Sequence, residues 1–185
     1  MNSDIDKILF NKEEISKKTQ KLANQIDCDY GDEEIVTVGI LRGALFFMAD
    51  LLRILNVKLL TDVMVVSSYD ESDIVSSGKV IIQKDVSIDI RNRDVLIVED
   101  IVDTGLTLYH VKQHLLDNGA KSVKICTLLD KPTNRKVEIT SDYNGFIIPN
   151  NFVVGYGLGY ANRYRNLDYI GILKPEVYQS KENES

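Results

Sequence analysis

Residues 95–108 read VLIVEDIVDTGLTL, an apolar run that ends on Glu99 and Asp100 and is followed by Asp103, Thr104, Gly105, Leu106 and Thr107. Three carboxylates and two hydroxyls thus fall within nine residues of one strand-to-helix loop. A helix that starts in such a loop directs unpaired backbone N–H groups and the positive end of its dipole into it, and Thr104 and Thr107 add hydroxyl donors. The stretch 103–107 can therefore cradle a phosphate monoester. Glu99 and Asp100 cannot bind the same phosphate; they suit vicinal sugar hydroxyls, from which they accept hydrogen bonds, or a magnesium ion. A phosphorylated sugar satisfies both halves of the loop. Taken singly, each piece has a plainer use, Asp103 as a helix cap and the acidic pair as solvated strand-end residues. Their coincidence in one loop is what points to a site.

Such a loop needs a sheet behind it and a helix after it. The run 95–98 reads as a buried strand, 105–118 as a helix ended at Gly119, and 123–129 as a further apolar strand, together a βαβ unit. A second strand, loop and helix series runs from 35–40 through Gly43 to 44–55. Upstream, Asn11 and Glu14 have the spacing of a capping box, after which Ile15, Leu22, Ala23 and Ile26 share one helical face. Strands are expected at 60–67, 80–83, 145–148, 152–155 and 169–173, with the Ser-, Asp- and Gly-rich segment YDESDIVSSGK between the first two. The series implies an α/β fold with a mostly parallel central sheet flanked by helices, whose ligands bind at the carboxyl ends of the strands.

With 185 residues, 44% hydrophobic and 27% charged, the chain has the make-up of one ordinary globular domain over 1–185, ending in a polar tail at about 179–185. Cys28 and Cys126 have no CxxC partner or nearby histidine pair, which suits a reducing cytoplasm. The acidic start and the lack of a long apolar run argue against secretion and membrane insertion. A net charge of −6 is a poor footing for nucleic-acid binding, so any phosphate site must be local.

VLIVEDIVDTGLTL resembles the phosphoribosyl pyrophosphate motif of the type I phosphoribosyltransferases. Together with Leu41-Arg42-Gly43 upstream and Lys131 and Phe152-Val153 downstream, it is similar to the bacterial-type hypoxanthine-guanine phosphoribosyltransferases, over roughly residues 10 to 174. The resemblance implies a type I phosphoribosyltransferase-like fold with a small hood built from the terminal segments. It also implies transfer of 5-phosphoribose from phosphoribosyl pyrophosphate to hypoxanthine or guanine with loss of pyrophosphate, magnesium as cofactor, and a homodimer or homotetramer. Asp103 becomes the general base facing the purine imidazole, Glu99 and Asp100 the ribose and magnesium contacts, and residues 103–107, Leu106 included, the 5-phosphate site. Arg42, Gly43 and Arg165 fall to pyrophosphate, with a cis peptide in the first of these loops. Ser68 and Tyr69 open a lid running to Lys79. Lys131 meets the six-position oxygen, Phe152 stacks on the purine and the backbone of Val153 bonds its edge. Gly159 breaks the pattern, since the family has a magnesium-placing aspartate there; restoring it is expected to lower the magnesium requirement, while the Gly159 carbonyl can still serve guanine.

Two signals are discounted. GYGLGY at 155–160 would put the third glycine of a dinucleotide fingerprint on Tyr160, and His110 and His114 share a helix with no third metal ligand in view. Transfer to another base, such as xanthine or adenine, remains open on the phosphoribose loop alone. A nucleotide-sensing regulator on the same fold is a further alternative, disfavoured by the net charge.

Overall fold

The computed structural model describes residues 2–68 and 80–179. Its larger sheet has six strands in the order β4-β3-β2-β5-β6-β7: β2 (Glu34–Leu41), β3 (Lys58–Ser68), β4 (Val80–Lys84), β5 (Asp94–Val102), β6 (Ser122–Asp130) and β7 (Tyr143–Ile147). All neighbours are parallel except β4, which pairs antiparallel with β3. The sheet is buried on both faces because its central strands are apolar at successive positions, and period-two alternation sends neighbours to opposite sides. Leu96 and Val98 pack with Ile15, Leu22 and Ile26 of α1 (Lys12–Tyr30) and with Phe47 and Leu51 of α2 (Leu45–Ile54). Val95 and Ile97 pack on the other face with Leu108, Val111 and Leu115 of α3 (Leu106–Asp117).

The capping box forms as its spacing requires: Glu14 N donates to Asn11 Oδ1, and Asn11 N to Glu14 Oε2, each at 2.9 Å. β2 sends its chain through α2 to β3 on one side, and β5 sends its chain through α3 to β6 on the other. The carboxyl ends of β2 and β5 are therefore a topological switch point, where the following loops diverge and leave a crevice.

Three short strands form a second sheet in the order β1-β9-β8, with β1 (Ile5–Phe10), β8 (Val153–Val154) and β9 (Ile170–Leu173) all antiparallel. This is the expected hood, made from the two ends of the described chain and closed by α4 (Pro175–Gln179). The reading of periodicity had no strand at 5–10, because IDKILF lacks clean alternation and its register with β9 shifts twice. The expected strands elsewhere are present with ends moved by a few residues. The largest extension is β5, which runs four residues past Val98 and takes Glu99 and Asp100 into the sheet. Ser68 ends β3, while Tyr69 and the rest of the expected lid to Lys79, like the tail from 180 onward, lie outside the described residues.

Candidate active site

A cleft of about 300 Å³ opens at the switch point, lined by Leu41 and Gly43 after β2, by Glu99 to Gly105 and Thr107 from β5 into α3, and by Gly159 and Arg165 from the hood side. Segments far apart in sequence are thus brought to one place by the strand order. The Leu41–Arg42 peptide is cis, as the resemblance implied. Arg42 itself is exposed and does not line the cleft.

Glu99 and Asp100 are 7% and 8% exposed, so two adjacent carboxylates are buried at the cleft floor. Glu99 Oε1 accepts from Asp100 N at 3.1 Å and Asp100 Oδ1 accepts from Ile101 N at 2.8 Å. Burial, and then the Asp100 charge beside it, push the Glu99 carboxyl well above the usual carboxylate range. Burial also raises Asp100, against a lowering pull from its hydrogen bonds and from Arg165. The Asp100 carboxylate lies against the backbone of Gly43, where an added Cβ would fall 1.8 Å from Oδ2. Any side chain at 43 would therefore expel the carboxylate from its place, which is why this loop needs glycine.

Gly105 is the N-cap of α3 with φ 82°, a left-handed conformation that glycine adopts without a Cβ penalty. Leu106 N donates to Thr104 Oγ1 at 3.4 Å, so the hydroxyl of Thr104 helps shape the turn. Asp103 is held from outside its own loop: Lys131 Nζ donates to Oδ2 at 3.2 Å and Asn134 Nδ2 to Oδ1 at 2.8 Å. Lys131, the residue just after β6, is buried at 6% exposure. Asn134 and Arg135 were not among the residues singled out from sequence. Asn134 lies 31 positions from Asp103, and its place in the short connection just after Lys131 is the only trace the sequence carries of this contact.

Of the purine-side candidates Gly159 lines the cleft, whereas Lys131, Phe152 and Val153 are not among its lining residues. Val153 points its side chain into the main core at 6% exposure. Phe152 is 37% exposed; the Tyr178 ring stacks on it at 4.9 Å between centroids, and Tyr160 meets it edge-on at 5.5 Å. Arg165 Nη1 donates to Gly157 O at 2.6 Å, while its buried Nε has no acceptor among the described residues. A Cβ at Gly159 would meet Arg163 O at 2.7 Å and Arg165 Cγ at 2.8 Å, so the arginine and its turn close the space an aspartate would need. The discounted histidines stay outside: His110 is exposed on α3, and His114 bonds Asp85 at 2.7 Å. No group of three or more potential metal-binding side chains occurs among the described residues.

A parallel sheet with a phosphate-type loop after β5 and a second glycine loop after β2 defines a phosphoribosyl transferase domain, and residues 7–161 match the family model of that description. The hypoxanthine-guanine phosphoribosyltransferase of Bacillus subtilis (strain 168) is 51% identical over 180 residues, covering 97% of this chain and 99% of that protein. The enzyme of the same name from Streptococcus pneumoniae (strain ATCC BAA-255 / R6) is 48% identical with the same coverage. The crystal structure of a hypoxanthine phosphoribosyltransferase from Staphylococcus aureus superposes with a TM-score of 0.92 at 46% identity, covering 96% of each chain. The chain belongs to the hypoxanthine-guanine phosphoribosyltransferase family.

Proposed function

We propose that the protein transfers 5-phosphoribose from phosphoribosyl pyrophosphate to hypoxanthine or guanine in purine salvage, yielding the nucleotide and pyrophosphate. The observation that carries this reading is the single cleft shared by the Leu41–Gly43 loop, the Glu99–Thr107 segment and Arg165. The 103–107 turn binds the 5-phosphate through its N–H groups and hydroxyls. Glu99 and Asp100 accept from the ribose hydroxyls. The Leu41–Gly43 backbone and Arg165, whose Nε lacks an acceptor among the described residues, take the pyrophosphate. A bond forms from an imidazole nitrogen of the base to the anomeric carbon as the carbon–oxygen bond to pyrophosphate breaks, with the electron pair leaving on oxygen. The imidazole N–H proton passes to Asp103. Lys131 donates to the six-position oxygen, Phe152 stacks on the purine, and the Val153 backbone bonds the purine edge.

The buried acidic pair is a hard-oxygen donor set, with Arg165 as a charge acting on Asp100, which suits magnesium completed by substrate oxygens and water. When bound there, magnesium supplies charge neutralisation for the leaving pyrophosphate. Free thiols at Cys28 and Cys126 support a cytoplasmic setting, and a homodimer or homotetramer is the assembly we assign. Among the described residues no helix is long and apolar enough to cross a membrane.

Incubation with phosphoribosyl pyrophosphate, magnesium and each base in turn tests the assignment. Turnover is expected with hypoxanthine and guanine and little with adenine, whose six-position amino group meets the Lys131 ammonium donor to donor. A preference for adenine overturns it. Gly159→Asp is expected to lower the magnesium needed for half-maximal rate and, because of the contacts with Arg163 and Arg165, to cost roughly 1–3 kcal/mol of stability. An unchanged magnesium profile removes residue 159 from the metal's surroundings.

A further inference from the structure

The connection between β6 and β7 reaches back over the phosphate loop and is stitched to it. Lys131 N donates to Val102 O and Lys136 N to Thr104 O, both at 2.9 Å. Arg135 Nη1 donates to the Asp103 carbonyl at 2.7 Å while its Nη2 is paired with the carboxylate of Asp130, itself held by Asn144. These bonds fix the main chain of the loop. The Asp103 side chain is fixed separately, by Lys131 on Oδ2 and Asn134 on Oδ1. The second N–H of the Asn134 amide goes to Asn150 Oδ1 at 2.8 Å. A carboxylate oxygen only accepts, so the orientation of the Asn134 amide is dictated by its neighbour.

The two bonds to Asp103 respond differently to a bound base. Lys131 acquires a second acceptor when a six-position oxygen arrives, and its hold on Oδ2 slackens. Both N–H groups of Asn134 are already committed within the protein. We propose that Asn134 is the positioning residue of the general base: it keeps Oδ1 anchored to the β6–β7 connection, backed by Asn150, and leaves Oδ2 as the oxygen that receives the imidazole proton. The proposal rests on the reading of Asp103 as general base. Asn134 acts only through Asp103 and touches neither substrate.

Three substitutions separate this role from that of a residue merely shaping a turn. Asn134→Asp is isosteric and equally at home in a turn, but it replaces the donor with a like charge. Asn134→Ala removes the donor, and Asn134→Gln keeps an amide. In steady-state assays with hypoxanthine, kcat is expected to fall about 10-fold for alanine and further for aspartate, with partial recovery for glutamine. KM for phosphoribosyl pyrophosphate stays within about two-fold, since the 103–107 cradle is untouched. In an Asp103→Asn background the alanine change is expected to cost less than about two-fold, because the group it positions is gone. Wild-type turnover by the aspartate variant, or an equal loss in both backgrounds, overturns the proposal. Should the alanine variant melt early, the isosteric aspartate variant carries the test. Failure of the underlying reading looks different: Asp103→Asn would then turn over at the wild-type rate.

Discussion

Asp103→Asn is expected to lower kcat by about 100-fold or more while leaving KM for phosphoribosyl pyrophosphate nearly unchanged. The substitution keeps shape and removes the basic oxygen. In the native loop the carboxylate accepts from Lys131 and Asn134 at once; the asparagine amide can present an oxygen to only one of them. The backbone cradle at 103–107 does not depend on that side chain, since its main chain is tied down by Lys131, Arg135 and Lys136. Some stability should be lost as well, because the Lys131 side chain, 8% exposed, gives up its charged partner. Pre-steady-state or steady-state product formation with hypoxanthine checks the claim. Turnover at the wild-type rate would reduce Asp103 to a helix-start residue.

Glu99→Gln should have opposite effects on stability and activity. Burial, and next the Asp100 charge, raise the folded-state carboxyl well above its unfolded value, which is about 4.3 for a free glutamate. A raised folded value means that the group's stabilising contribution is complete below the unfolded value and is lost as pH rises toward the folded one. At neutral pH the glutamate is therefore a burden that glutamine does not carry. In the presence of a chelator the variant is expected to be more stable at pH 7.5 by roughly 1–3 kcal/mol, at about 2–4 °C per kcal/mol for a chain of this length. The gap should close as pH falls toward about 4. Magnesium should narrow it by favouring the native acidic pair, while activity falls with the loss of one carboxylate. A variant that melts no higher than the parent at pH 7.5 without metal would refute the cost assigned to burying Glu99.

What the sequence made legible follows the reach of each interaction. Val95 to Val98 announced a buried strand, and Asn11 with Glu14 announced a helix start, because both depend on neighbours a few residues away. The candidate phosphate loop was legible for the same reason: its acids, hydroxyls and glycine fall within nine residues. The end of β5 was not, since Glu99 and Asp100 look like solvated residues in a string and are buried only where β6 pairs with Glu99 and the Gly43 backbone lies against Asp100. The resemblance supplied Lys131, Arg165 and the hood, which periodicity could not. Asn134 escaped both, as its partner is Asp103 across a 31-residue interval and neither residue's neighbours encode the contact.

The order of the small sheet has a consequence for synthesis. Its middle strand, β9, is the last of the three in the chain, so β1 and β8 have no partner within that sheet until residues 170–173 are available. The sugar-phosphate half of the cleft is built from β2, β5 and the turns after them, all complete well before that point. A polypeptide emerging from the ribosome can thus assemble the loops proposed to grip a phosphoribosyl group while Phe152 and Val153 still lack the strand that holds them. Closing the hood brings residue 5 to residue 173, the longest-range strand pairing among the described residues and by loop entropy the most costly to form. On the proposed assignment of the site, the chain gains its grip on the sugar first and its seat for the base last.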